Sequence, residues 1–266
     1  MFFRFILCYN KWTKKIKLLD YSLYIGDNKI ETNTKFYDIA FIGHYTKDTI
    51  ISASGIRVVD GGAFNYGANV AARMGLKVAA VTRLAEEDFH VVEKIQARAI
   101  VVGASMRDEV SLQVIEELSK KRTTLSADVQ SFIRVNDNGK LVPKEWPERN
   151  DIFACLDILK TDAVEAGLLF GNCDLYTAAQ KMHDLGPKEV IITHREGLLV
   201  FADGKFYQEN FFPKEIIGRS GRGDTCIASY TAKRLSASPQ EATTWAAAVT
   251  SLKMEAEGPL KIIQQV

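Results

Sequence analysis

From Tyr37 onward two kinds of apolar pattern alternate along the chain. Tyr37 to Gly43, Val78 to Val81, Ala99 to Val102, Leu125 to Val129, Ile158 to Lys160 and Val190 to Thr193 are short apolar runs. Their length and lack of a polar face predict strands buried on both sides. Between them, Glu109 to Lys121 spaces Val110, Val114, Ile115 and Leu118 as one helix face, and Leu175 to Leu185 closes on Gly186-Pro187 as a helix end does. Strand and helix in alternation predict an α/β fold, a mostly parallel central sheet flanked by helices. In such sheets ligands sit beyond the carboxyl ends of the strands, so the loops there are the places to look for chemistry.

Composition narrows the function classes. A chain of 266 residues with 47% hydrophobic and 25% charged residues can bury a full core, which excludes disordered and collagen-like readings. Lys and Arg number 34 against 33 Asp and Glu, a net charge of +1 that offers no electrostatic case for nucleic acid. No apolar run approaches the roughly 20 residues of a membrane helix, so no membrane partner is expected. Cys8, Cys155, Cys173 and Cys226 form no CxxC pair and read as reduced thiols of a cytoplasmic protein. His44, His90, His183 and His194 share no metal-ligand spacing. Residues 1–36 hold seven Lys or Arg and three acids, net +4, leaving 27 against 30, net −3, for residues 37–266. The division predicts a basic N-terminal extension, either an amphipathic surface helix or a docked segment without chemistry, ahead of one domain over 37–266.

The loop richest in candidate chemistry is Gly218-Arg219-Ser220-Gly221-Arg222-Gly223-Asp224-Thr225, followed by a predicted helix over Cys226 to Leu235. Three glycines allow close backbone approach to a ligand, and a helix N-terminus presents unpaired N–H groups and a positive dipole end, which suits a phosphate. Asp224 is either an ordinary helix-start residue or a general base beside that phosphate.

This loop resembles the Gly-Ala-Gly-Asp signature of the ribokinase-like (phosphofructokinase-B type) carbohydrate kinases, with Arg222 in the Ala position. Other segments are similar to that family in its own order. They are Tyr37 to Gly43 with the following His44 to Asp48, Gly61-Gly62 with the helix after it, Asp162-Ala163-Val164-Glu165, and Val190 to Gly197. The resemblance implies a ribokinase-like fold with a reduced β lid, and an ATP-dependent kinase using Mg²⁺ to phosphorylate a hydroxyl of a small sugar, polyol or nucleoside. By it, Asp224 would accept the substrate proton and Gly221, Arg222 and Gly223 would form the anion hole. Asp48, Gly61, Gly62 and Asn65 would bind substrate, the family's usual Asn falling on Tyr66. Asp162, Thr193 and Gly197 would lie on the nucleotide side, and Glu165 would organise the metal. A homodimer is compatible with the resemblance. Only Phe89 to Lys94 stand where the family carries a longer substrate-covering stretch, a deletion of roughly 50 residues near 93–95. The alternative is therefore a catalytically impaired nucleotide- or sugar-binding relic of the same fold.

Overall fold

Ile39, Ala40, Phe41 and Ile42 are closed off from solvent in the middle of a ten-stranded sheet. The computed structural model describes residues 5–9, 16–18, 36–44, 46–52, 55–82 and 95–261. The sheet uses β1 (Phe5–Tyr9), β2 (Ile16–Leu18), β3 (Phe36–Ile42), β6 (Val78–Thr82), β7 (Gln96–Val102), β8 (Thr124–Asp128), β11 (Ile158–Asp162), β12 (Glu189–Thr193), β13 (Gly197–Ala202) and β14 (Lys205–Asn210). Their order across it is β14-β13-β12-β11-β8-β7-β3-β6-β1-β2. The stretch from β12 to β6 is parallel throughout, and β13-β14 and β1-β2 add antiparallel strands at the two edges. Two hairpins stand apart from the sheet, β4 (Thr46–Ser52) with β5 (Gly55–Gly61) and β9 (Arg134–Asp137) with β10 (Lys140–Pro143).

The central strands read as unbroken apolar runs because helices cover both faces. On β7, Ile100 and Val102 pack with Ile115, Leu125 and Phe153 on one side, while Ala99 and Val101 pack with Phe41, Ile227 and Ala228 on the other. Described helices are α1 (Asn69–Arg73), α2 (Leu112–Ser119), α3 (Gln130–Ile133), α4 (Arg149–Cys155), α5 (Ala163–Phe170), α6 (Leu175–His183), α7 (Arg222–Arg234) and α8 (Pro239–Met254). A turn of π-helix, Phe64–Ala68, leads into α1. Local chemistry sets several starts: Ser111 Oγ accepts from Val114 N, Asp174 accepts from Thr177 N, and Ser238 with Glu241 makes a capping box at α8.

Some expectations change. The segment His44 to Asp48, which by the resemblance would be the loop after the first strand, runs into a strand, Thr46–Ser52, where Asp48 pairs with Val59 across the β4–β5 hairpin. The helix expected from Cys226 begins four residues earlier, at Arg222. The surface-helix reading of the N-terminal segment does not hold for its described part, since Phe5–Tyr9 is a strand paired antiparallel with β6. Residues 83–94, where most of the shortened lid and one side of the gap near 93–95 are expected, lie outside the described residues, as does His90.

Candidate active site

The carboxyl ends of β3 and β7 approach so closely that only glycine fits at either. A Cβ at Gly43 would stand 2.4 Å from Gly103 O, and one at Gly103 would stand 2.3 Å from Ala63 Cβ and 3.8 Å from Asp224 Oδ1. The segment Gly61-Gly62-Ala63 and Asp224 are thus brought to one place above the sheet. Gly61 ends β5 opposite Thr46, and Gly62, at φ 86°, lies against His44 O. Asn65 spends its amide on holding the base of the hairpin, with Nδ2 donating to Asp60 O at 2.9 Å. Tyr66, at the family's usual Asn position, is not a surface contact at all: it is 1% exposed, and its ring forms the floor on which Gly221 rests.

Gly221 caps α7 at φ 75°, a left-handed conformation that glycine adopts without steric cost. A Cβ there would enter the Tyr66 ring, 2.2 Å from Cγ. Arg222 N donates to Arg219 O at 3.3 Å and Thr225 N to Gly221 O at 2.9 Å. Gly223 and Asp224 follow in the first turn, at the positive end of the helix dipole, where an anion is favoured. Asp224 is buried within this first turn. The Arg222 guanidinium lies 5.9 Å from the centre of the Phe211 ring.

Beneath Gly223 lies a charged cluster that sequence reasoning missed. Lys160 Nζ on β11 is 2.7 Å from Asp128 Oδ2 on β8, both side chains are buried, and a Cβ at Gly223 would stand 2.6 Å from Nζ. Burial opposes the Lys160 charge, but the carboxylates of Asp128 and Glu165 outweigh it and hold the ammonium above the ordinary lysine value. Asp162 caps α5, accepting from Val164 N and Glu165 N, while Glu165 Oε2 accepts from Asp162 N and Thr161 Oγ1. Glu165 Oε1 meets Arg134 Nη2 at 3.2 Å. Burial, and next the Asp128 charge, push the Glu165 carboxyl above its ordinary value, against the pull of Lys160. The visible sequence signal for this cluster was a charged residue at the end of each of two apolar strands, Asp128 and Lys160.

Thr193 and Gly197 turn inward. Thr193 Oγ1 donates to Thr161 O at 3.3 Å, and Gly197 is glycine because β14 passes so near that a Cβ would stand 2.1 Å from Glu209 O. The turn they flank faces the anion loop, since the Arg222 charge acts on His194 between them. No group of three or more His, Cys, Asp or Glu among the described residues is arranged to hold a metal unaided.

A family model described as pfkB family carbohydrate kinase matches residues 86–264. The chain belongs to the pfkB family of carbohydrate kinases. Solved structures agree. A pyrophosphate-dependent kinase in the ribokinase family, complexed with a pyrophosphate analog and myo-inositol, is 30% identical with a TM-score of 0.77, over 84% of this chain and 97% of that one. Arabidopsis thaliana ribokinase complexed with ribose and ATP is 17% identical, TM-score 0.64, over 85% and 95% of the two chains. Adenosine kinase from Sinorhizobium meliloti is 12% identical, TM-score 0.67, over 86% and 97%; at these lower identities the likeness is one of fold. No curated protein matches. This pfkB kinase is therefore a phosphotransferase with a ribokinase-like fold, and no helix among its described residues is long and apolar enough to cross a membrane.

Proposed function

We propose that this pfkB kinase transfers the terminal phosphoryl group of ATP to a hydroxyl of a small sugar, polyol or nucleoside, with Asp224 accepting the hydroxyl proton. The observation that carries the reading is the placement of a buried carboxylate, Asp224, in the same helix turn as the N–H groups that favour an anion. Phosphoryl transfer asks for a positioned acceptor, a group to take its proton and fixed donors around the moving phosphoryl. The Gly223 and Asp224 N–H groups and the α7 dipole would stabilise charge on that phosphoryl, and the glycines let the backbone approach it. Asp48, Gly61 and Gly62, in the β4–β5 hairpin and at its exit, would bind the acceptor, with Asn65 keeping the hairpin base in place. The reading takes the protein as cytoplasmic.

Magnesium fits the donor set. Asp128, Asp162 and Glu165 against Lys160 and Arg134 give 2 − 3 = −1 when all are ionised, in a cluster that a polyanionic donor must approach. A hard cation arriving on donor phosphates needs only one or two protein carboxylates and keeps several waters. Asp162 and Glu165, already oriented by their capping box, would hold it, and the ion would neutralise charge on the transferring group.

Pyrophosphate as the donor is a second reading. It is favoured by Arg222, a cation at the first position of α7 that suits a donor made only of phosphate. The test runs ATP and pyrophosphate in parallel over a panel of sugars, polyols, inositols and nucleosides, measuring phosphorylated acceptor against ADP or phosphate released. One-to-one coupling with either donor identifies it. Absence of acceptor phosphorylation with both refutes the kinase reading and leaves the binding relic.

A further inference from the structure

Lys253 stands in the last turn of α8 and is 1% exposed. A cation at a helix C-terminus has a local reason in the dipole. Burial does not follow from that reason, since a surface lysine would serve the dipole without losing its water. Among the described residues no carboxylate forms an ion pair with Lys253; its Nζ is 3.3 Å from Gly218 O and 3.2 Å from Ala256 O. An ammonium taken out of water and met at hydrogen-bond distance by two carbonyl oxygens, with the Glu257 charge acting on it but not paired to it, is expensive, and an aliphatic side chain would fill the same space at lower cost.

What surrounds it is the support of the anion loop. Ile217 N and Gly218 N both donate to Met254 O, at 2.9 and 3.1 Å, which fastens the loop entrance to the end of α8. A Cβ at Gly218 would stand 2.7 Å from Ala256 O, so the two segments touch backbone to backbone. Lys253 Nζ also lies 5.4 Å from the centre of the Tyr66 ring, the same ring on which Gly221 rests. One buried charge therefore touches the loop at its entrance, through Gly218, and at its helix cap, through Tyr66.

We propose that Lys253 is a positioning residue for phosphoryl transfer, its ammonium drawing the Gly218 and Ala256 carbonyls and the Tyr66 ring together beneath the loop so that Gly221 caps α7 with the Gly223 and Asp224 N–H groups aimed at the phosphoryl group. The inference rests on the anion loop being the phosphoryl site. Lys253 does not touch the reacting atoms; it acts through the loop and adds a positive field on its underside.

The test compares Lys253→Met, which keeps the length and removes the charge, with Lys253→Arg, which keeps charge and donors; Lys253→Gln replaces the first if Lys253→Met does not fold. Each is measured for thermal midpoint, for kcat and for KM toward donor and acceptor well below that midpoint, and for pyrophosphate affinity by calorimetry without acceptor. The neutral variant is expected to lose on the order of 10- to 100-fold in kcat/KM for the donor, as a loop displaced by about an ångström would. Its acceptor KM should stay within about threefold, and Lys253→Arg should recover most of the loss. A lower midpoint with donor kinetics intact would make Lys253 structural only and overturn the proposal, as would an arginine variant no better than the neutral one. If the parent turns over no acceptor, the kinase reading fails on its own, and Lys253 is judged by calorimetry. Weaker pyrophosphate binding in the neutral variant, restored by arginine, supports it; equal binding in all three proteins, or none in the parent, overturns it.

Discussion

Lys160 Nζ lies 2.7 Å from Asp128 Oδ2, and both side chains are buried. The two residues sit on neighbouring strands, β11 and β8, directly beneath Gly223 in the first turn of α7. A salt bridge in this position joins the sheet to the anion loop: whatever moves Lys160 moves the floor under Gly223. Its cost in desolvation is high, and its partners must stay in place for the charge to be tolerated.

Lys160→Met should therefore destabilise the fold by about 3–5 kcal/mol, because it leaves the Asp128 carboxylate buried and unpaired. Lys160→Met combined with Asp128→Asn should lose clearly less than the two single changes summed, since the pair is coupled. Urea unfolding of the three variants decides it. A loss below about 1 kcal/mol in the lysine variant would show that water reaches Asp128 and that the pair is not closed.

Asp224→Asn keeps the shape of the helix turn and removes the proton acceptor. Transfer should fall on the order of 10²- to 10⁴-fold while donor binding by calorimetry stays near the parent's. Phosphorylation at the parent rate would leave Asp224 as a helix-start residue only.

Gly221→Ala places a methyl group where the Tyr66 ring stands, at a backbone φ of 75° that alanine resists. The strain and the clash together predict a loss of about 1–3 kcal/mol and a raised donor KM. Thermal unfolding and donor titration measure both, and an alanine variant with parent-like stability and donor KM would mean that the cap is free to shift.

Burial pushes the Lys253 ammonium down to about 8 from an ordinary 10.5, with the Glu257 charge pulling the other way. Between those two values the unfolded chain holds a proton that the folded chain has released, so unfolding free energy rises with pH there. Below about 8 both states are protonated and the contribution is flat. The slope in that window approaches 1.4 kcal/mol per pH unit at most, a rough ceiling for one group. Unfolding curves of the parent and Lys253→Met from pH 7 to 10 should diverge above 8, and parallel pH dependence of the two proteins would contradict the assignment.

The central strands were legible in the chain itself, because a strand covered on both faces must be apolar at every position, as Ile39 to Ile42 and Ile191 with Ile192 are. So was the anion loop, since three closely spaced glycines before a helix are a backbone requirement written directly in residue type. The edge strand β14 was not, because one of its faces meets solvent and it carries Lys205, Gln208 and Glu209 within six residues. Local sequence also left Asp224 open between starting a helix, the reading it favoured, and taking a proton, and its burial beside Gly103 comes from two strand ends that meet it from more than a hundred residues away. Lys160, Asp128 and Lys253 gain their meaning in the same way. A single charge in an apolar run states that a partner is needed; only the packing of β8, β11, α7 and α8 supplied one carboxylate for Lys160 and two carbonyl oxygens for Lys253.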